Sequence, residues 1–130
     1  MASALKKVAP GPREEVTPIF QYELKNCPGM TIVGARVDYP AGGFTPPHRH
    51  GGAQVVAMVT EGGILSGMND NPPELYSEGQ SFVEMPGCHH TVGQNNSQTE
   101  KAKAIVIYVV QTEVVKSGFH NLMVLDEGWE

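Results

Sequence analysis

Two of the five histidines in this 130-residue chain, His48 and His50, are separated by a single residue. Side chains at positions i and i+2 of a β-strand point to the same face, so a strand here would project both imidazoles together. Two such imidazoles can chelate one ion if a third ligand comes from elsewhere in the chain. Neutral imidazole suits Zn, Fe, Cu, Ni and, less strongly, Mn. Two unrelated surface histidines would give the same pattern, so the pair predicts a metal site only together with a third ligand.

A second stretch with histidines lies further along the chain. Residues 80–85 form a strand-like run, Pro86-Gly87 marks a tight turn, and His90 begins the next short strand. Successive side chains of a strand face opposite sides, so we expect His89 on the outer face or in the turn. His120 lies in the C-terminal tail, where we expect it on the surface.

Together, the two stretches resemble the two-part signature of the cupin superfamily. The first part of that signature combines a glycine, His-x-His and a closing glycine, which match Gly42, His48, His50 and Gly62. The second part combines a glycine, a Pro-x-Gly turn, a histidine and an asparagine, which match Gly79, Met85-Pro86-Gly87, His90 and Gln94-Asn95. The resemblance covers residues 30–112 and implies that His90 joins His48 and His50 around one divalent transition metal, namely Fe, Ni, Mn, Cu or Zn.

The family signature also has a glutamate as fourth ligand, and this sequence lacks it at the usual place. The usual spacing after the histidine pair leads to Gln54, whereas counting back from the closing glycine leads to Val55. Strand parity favours Gln54, which would ligate through its amide oxygen. A bulge at Gly51-Gly52 would instead turn Val55 inward and leave three histidines. Without a carboxylate the metal keeps its full charge and its open positions, which favours an anionic ligand.

Further residues are candidates for contact with a substrate. Glu84, just before the Pro-Gly turn, could act as a general base or as the acceptor that orients a ligand imidazole, although a solvated strand end explains it as well. Arg36 and Gln54 are polar candidates for orienting a substrate. Large side chains that should line or pack the pocket are Met58, which shares the parity of the histidine pair, Phe44 and Tyr108.

The elements that must position these residues are short strands. The 15 glycines and 10 prolines break the chain too often for long helices, and strand-like runs recur between turn clusters. The longest run, residues 102–112, is apolar enough in its centre to predict burial on both faces. Such spacing indicates a sandwich or barrel, and the resemblance implies an all-β jelly-roll barrel, the double-stranded β-helix. We divide the chain into an N-terminal arm, 1–17, and a barrel domain, 18–130.

The composition argues against several classes of protein. Nine basic and 14 acidic residues give a net charge of −5 without an extended basic cluster, so we expect no nucleic-acid partner. No apolar run is long enough to span a membrane and no secretory signal is recognisable, so we expect no membrane association and a cytoplasmic location. Two cysteines are too few for a disulfide framework. The charged arm and the edge strands of a small barrel predict a homodimer.

The resemblance does not fix a reaction, because one fold carries many chemistries. The first hypothesis is a dioxygenase acting on a small anionic enol, phenol, carboxylate or thiol. The second is a non-redox isomerase, cyclase or lyase in which the metal acts as a Lewis acid. The third is a protein that binds a small molecule or a metal without turnover. All three expect a small-molecule ligand at the histidines.

Overall fold

The computed structural model describes residues 7–129. Their strands, in chain order, are β1 (Glu15–Glu23), β2 (Met30–Tyr39), β3 (Phe44–Thr45), β4 (His48–Arg49), β5 (Gln54–Glu61), β6 (Gly63–Met68), β7 (Glu74–Ser77), β8 (Ser81–Glu84), β9 (His90–Asn95), β10 (Ala102–Gln111) and β11 (Val124–Leu125). A short helix, α1 (Thr112–Val115), and a 3₁₀ turn (Phe119–Leu122) join β10 to β11.

The strands form two antiparallel sheets that face each other. One sheet has the order β1-β2-β10-β5-β8, and the other has the order β11-β4-β9-β6-β7, with β3 also paired to β9. Several neighbours in these orders, such as β2 with β10 and β4 with β9, are distant in sequence, as in a jelly roll. The prediction of an all-β jelly roll is therefore confirmed. No helix among residues 7–129 is long and apolar enough to cross a membrane.

The core lies between the sheets and is built by strict alternation along the central strands. In β10 the inward residues, such as Val106 and Tyr108, are buried, whereas Ile105 and Ile107 on the outer face are only partly buried. The prediction that this run is buried on both faces is therefore wrong for the outer face. Each fully buried aliphatic or aromatic side chain contributes about 1.5–3 kcal/mol, so the inner face supplies most of the packing energy.

The N-terminal segment joins the barrel before β1 begins. Phe44 donates its backbone N–H to the carbonyl of Pro12 at 2.9 Å and accepts the N–H of Glu14 at 3.2 Å. From Glu15 the chain pairs with β2, so residues 15–17, which the sequence analysis assigned to the arm, lie in a sheet. Residues 1–6 of the predicted arm lie outside the described residues.

The C-terminal segment closes the end of the barrel that carries the histidines. Leu122 is completely buried, and β11 pairs with β4 so that Leu125 lies opposite His48. His89 contacts this C-terminal segment, since its Nε2 donates a hydrogen bond to the Asp126 carboxylate at 2.8 Å. The structure thus places His89 in a contact with the tail, away from the inner face of the barrel.

Candidate metal centre

The three predicted histidines come together inside the barrel. His48 lies in β4 directly opposite His90 of β9, and His50 follows β4. The three residues are only 2–7% exposed. The ring centroid of His48 lies 4.5 Å from that of His50 and 4.9 Å from that of His90. The local strand geometry therefore points His48 and His50 inward. The antiparallel pairing of β4 with β9 brings the ring of His90 next to them.

Glu84 completes this group from a strand of the other sheet. It ends β8, is 3% exposed, and lies opposite Val55 of β5. Its Oε1 lies 3.0 Å from Nε2 of His50 and 3.1 Å from Nδ1 of His90. One potential ligand atom from each of the four residues lies within 4.8 Å of the others. Glu84 is therefore placed as a fourth metal ligand, a role that the sequence analysis did not assign to it.

Backbone carbonyls fix which nitrogen of the first two histidines faces the centre. His48 Nδ1 lies 2.6 Å from the carbonyl of Pro46, and His50 Nδ1 lies 2.8 Å from the carbonyl of Leu122. A carbonyl only accepts, so each Nδ1 carries the proton and donates it. Each Nε2 of a neutral ring then presents a lone pair, and these two atoms lie 3.0 Å apart. Two lone pairs at this distance repel unless a cation binds both, so the local chemistry fits a metal ion.

The ring of His90 contacts a side-chain hydroxyl instead of a backbone carbonyl. Its Nε2 lies 2.9 Å from the hydroxyl of Ser66, whose residue is 4% exposed. Its Nδ1 is buried and, among residues 7–129, has no partner in hydrogen-bond geometry, although Glu84 is close. Buried polar atoms without a partner are rare in proteins, and a metal ligand position explains this one. Ser66 is therefore the residue that orients His90, as hydrogen-bond partners of ligand imidazoles commonly do.

The electrostatics of the group suit a divalent cation. Burial, with smaller contributions from His50 and His90, lowers the pKa of His48 to about 3. Burial raises the pKa of Glu84, but N–H donation from the His50 and His90 rings, which a bound metal ion would replace, outweighs burial and holds that pKa well below its usual range. Three neutral imidazoles and one carboxylate make a donor set for Zn, Fe, Mn, Ni or Cu. These four residues would hold the ion, and a bound ion with further coordination positions could also bind a small molecule.

The structure corrects the assignment of Gln54 as a ligand and pocket residue. Gln54 is exposed at the start of β5, whereas Val55 is completely buried. Gly51 and Gly52 have φ angles of 63° and 83° and form a turn between β4 and β5. This turn resets the alternation, so parity counted from His48 does not carry into β5. The alternative in which Val55 faces inward is the observed one, and the carboxylate comes from Glu84.

Three further candidates, Met58, Arg36 and Phe44, also lie away from the cavity. Met58, in the same strand as Gln54, is 45% exposed on the outer face. Arg36 is exposed on the outer face of β2, where its Nε donates to Asp38 at 3.0 Å. Phe44 is buried, but it packs against Trp129 with ring centroids 5.5 Å apart and does not line the cavity beside the histidines.

A cavity leads from the four ligand residues into the barrel. Its empty volume is about 470 Å³, the open mouth included, which limits a ligand to a small molecule. Tyr108 lies in its wall, with its ring centroid 5.5 Å from that of His50. Burial and the charge of Glu84 raise the pKa of Tyr108, so its hydroxyl stays protonated. The remaining wall residues are Glu14, Val16, Val37, Tyr39, Thr45, Ala57, Ile64, Phe82, Ala104, Val106 and Met123.

Comparison with known proteins supports this architecture. The family described as "Cupin domain" matches residues 35–108, more than half of the chain. The chain is 40% identical over 79 residues to auxin-binding protein ABP19b of Prunus persica, covering 58% of this chain and 38% of that protein. It is 33% identical over 97 residues to germin-like protein subfamily 3 member 3 of Arabidopsis thaliana, covering 72% and 45%. The chain thus spans about two fifths of the length of the curated relatives it matches.

Two solved structures show the same fold at low sequence identity. The protein TT1209 from Thermus thermophilus has a TM-score of 0.61 and 20% identity, covering 78% of this chain and 88% of that one. An oxalate oxidase in complex with the substrate analogue glycolate has a TM-score of 0.59 and 23% identity, covering 87% and 61%. At these identities the likeness establishes the arrangement of the strands and not the reaction.

Proposed function

Because this chain belongs to the cupin domain family, we propose that it is a metal-dependent enzyme acting on a small anionic organic molecule, with dioxygenase-type chemistry. The observation that carries the proposal is the buried group of three histidines and Glu84 at a cavity. A divalent ion bound there would supply a Lewis acid and, with a redox-active metal, an electron carrier.

The charge balance supports an anionic ligand. A divalent ion bound to three neutral imidazoles and the Glu84 carboxylate would leave a net charge of +1 at the metal group itself. An enolate, phenolate, carboxylate or thiolate would neutralise that charge. A site of three histidines without a carboxylate would favour the same class of ligand. With Glu84 included the excess charge is smaller, but its sign is unchanged.

The residues of the chain have separable roles in this proposal. His48, His50, His90 and Glu84 bind the ion. The carbonyls of Pro46 and Leu122 and the hydroxyl of Ser66 orient the imidazoles, while Tyr108 and the aliphatic walls exclude bulk water. Two similar proteins give the ligand class some support, since one was solved with glycolate and the other is named for binding auxin.

The test distinguishes a dioxygenase from a non-redox isomerase, cyclase or lyase. Metal content is measured on protein purified without chelators, and O₂ consumption is followed with a panel of small carboxylates, enols, phenols and thiols. We expect Fe, Mn, Ni or Cu and substrate-dependent O₂ uptake that His50→Ala abolishes. Bound Zn with turnover that persists without O₂ would replace the dioxygenase by an isomerase, cyclase or lyase. Failure to retain any of these metals would overturn the proposal.

We also propose that the chain forms a homodimer in the cytoplasm. The support is an apolar outer face on the five-stranded sheet, where Val56 lies beside both Val83 and Ile107, and Val56 and Val83 are 39–47% exposed. Light scattering of the wild type and of Val83→Lys tests this. A monomeric wild type would contradict the dimer, and a tagged protein found outside the cytoplasm would contradict the location.

A further inference from the structure

One buried carboxylate in the cavity wall has no part in the metal group. Glu14 immediately precedes β1, and its backbone is fixed by the hydrogen bond to Phe44. Its side chain is 2% exposed, although the neighbouring Arg13 side chain is 46% exposed. Glu14 lines the same cavity as His48, His50, His90 and Glu84 but lies outside their group. The chain therefore carries a second acidic group in its cavity, at a distinct position.

The two oxygens of Glu14 are in different situations. Oε1 accepts a hydrogen bond from Nε of Arg13 at 2.9 Å. Oε2 is buried and has no hydrogen-bond partner among residues 7–129. A buried carboxylate oxygen without a partner is unfavourable for stability, and such groups are found where a ligand or a water supplies the missing donor. Since Arg13 lies towards solvent, its charge is screened, whereas the buried Glu14 side chain lines the cavity.

Neighbouring polar groups do not provide that donor. The Tyr39 hydroxyl, another polar group of the wall, is hydrogen-bonded to the hydroxyl of Thr45 at 2.6 Å. Burial raises the pKa of Tyr39, and the charge of Glu14 adds to that rise, which places the two groups within electrostatic reach. Several other residues of the wall, such as Val16, Val37 and Val106, are aliphatic and offer no donor. The donor must therefore enter with the contents of the cavity.

We propose that Glu14 is a substrate-binding residue that accepts a hydrogen bond from a hydroxyl or ammonium group of a substrate whose anionic end is on the metal. This inference rests on the proposed function and narrows its substrate class. The substrate is a small hydroxy- or amino-substituted acid or enol, held at two points of opposite charge. A dicarboxylate of similar length would place its second carboxylate near Glu14. Repulsion between these two negative charges in a partly dehydrated cavity would weaken its binding.

The test compares matched pairs of ligands that differ in one end group. Binding of glycolate, 3-hydroxypropanoate and 4-hydroxybutanoate, and of oxalate, malonate and succinate, is measured by calorimetry on protein loaded with Zn. We expect the best hydroxy acid to bind at least about tenfold more tightly than the diacid of equal length. Charge-assisted hydrogen bonds are about twice as strong as neutral ones, so in Glu14→Gln the free energy of a tenfold preference should halve and the preference should fall to about threefold or less. Glu15→Gln, which changes the exposed neighbour, is the matched control and should keep the wild-type preference.

A second measurement separates ligand binding from a structural role. If Oε2 has a hydrogen-bond partner only when a ligand is bound, Glu14→Gln removes an unfavourable buried charge from the ligand-free protein. Its melting temperature should then stay the same or rise. A fall in melting temperature with an unchanged ligand preference would overturn the inference and make Glu14 structural. An unchanged preference in a Glu14→Gln protein with full metal content would also overturn it, while leaving the proposed function intact. A wild type that retains no metal would overturn both proposals together.

Discussion

The low pKa of His48 predicts how the metal-free protein responds to acid. His48 is 2% exposed, and its pKa falls from 6.5 in the unfolded chain to about 3 in the fold. The folded state therefore binds fewer protons than the unfolded state between these values. The contribution to stability is complete above pH 6.5 and is lost progressively as the pH falls towards 3. Glu84, with an ordinary value of 4.5 and a lowered pKa in the fold, adds a loss in the same direction only below pH 4.5.

The window from pH 6.5 to pH 4.5 thus isolates His48 from Glu84. Each unit of pH well below 6.5 costs about 1.4 kcal/mol, and the slope is about half of that at pH 6.5, so the loss across the window is about 2 kcal/mol. That loss is measurable against the 5–15 kcal/mol of an ordinary domain. The assay is urea unfolding of chelator-treated protein at pH 7.0, 6.5, 5.5 and 4.5, with the free energy of unfolding taken at each pH.

A pair of variants shows which residue is responsible. His48→Asn removes the titrating ring, so its free energy of unfolding should vary about 2 kcal/mol less across the window than that of the wild type. His120→Asn alters an exposed histidine and should follow the wild-type curve. If the His48→Asn and wild-type curves run parallel from pH 6.5 to 4.5, the burial of a neutral His48 is not what opposes protonation, and the reasoning fails.

The remaining predictions concern the metal ligands and their supports. Glu84→Gln removes the only carboxylate of the metal group, so metal retention against a chelator, followed by atomic absorption, should fall at least about 100-fold, whereas Glu78→Gln on the surface should leave it unchanged. Gln54→Glu adds a carboxylate on the outer face and should not alter metal retention; tighter binding would show that residue 54 reaches the ion. Ser66→Ala removes the partner of His90 Nε2 and should weaken metal binding about 10–100-fold, with Ser81→Ala as the exposed control; equal affinities for the two variants would contradict the role of Ser66.

Much of the metal centre could be predicted from the sequence because its signals are local. His48 and His50 share a face through the two-residue period of a strand, and Pro86-Gly87 forms the turn before His90. The frequent glycines and prolines likewise favoured short strands over helices. Each of these inferences depends only on residues within a few positions of one another, so it holds without knowledge of the strand order.

The tertiary structure alone decided the fourth ligand and the walls of the cavity. Parity counting holds within one continuous strand, and the turn at Gly51-Gly52 ends its validity before Gln54. Glu84 enters the metal group because β8 pairs with β5 in the register that sets it opposite Val55. Glu14 enters the cavity because its backbone is bonded to Phe44. These contacts join segments far apart in the chain, so they depend on sheet order and register, which no local pattern of residues specifies.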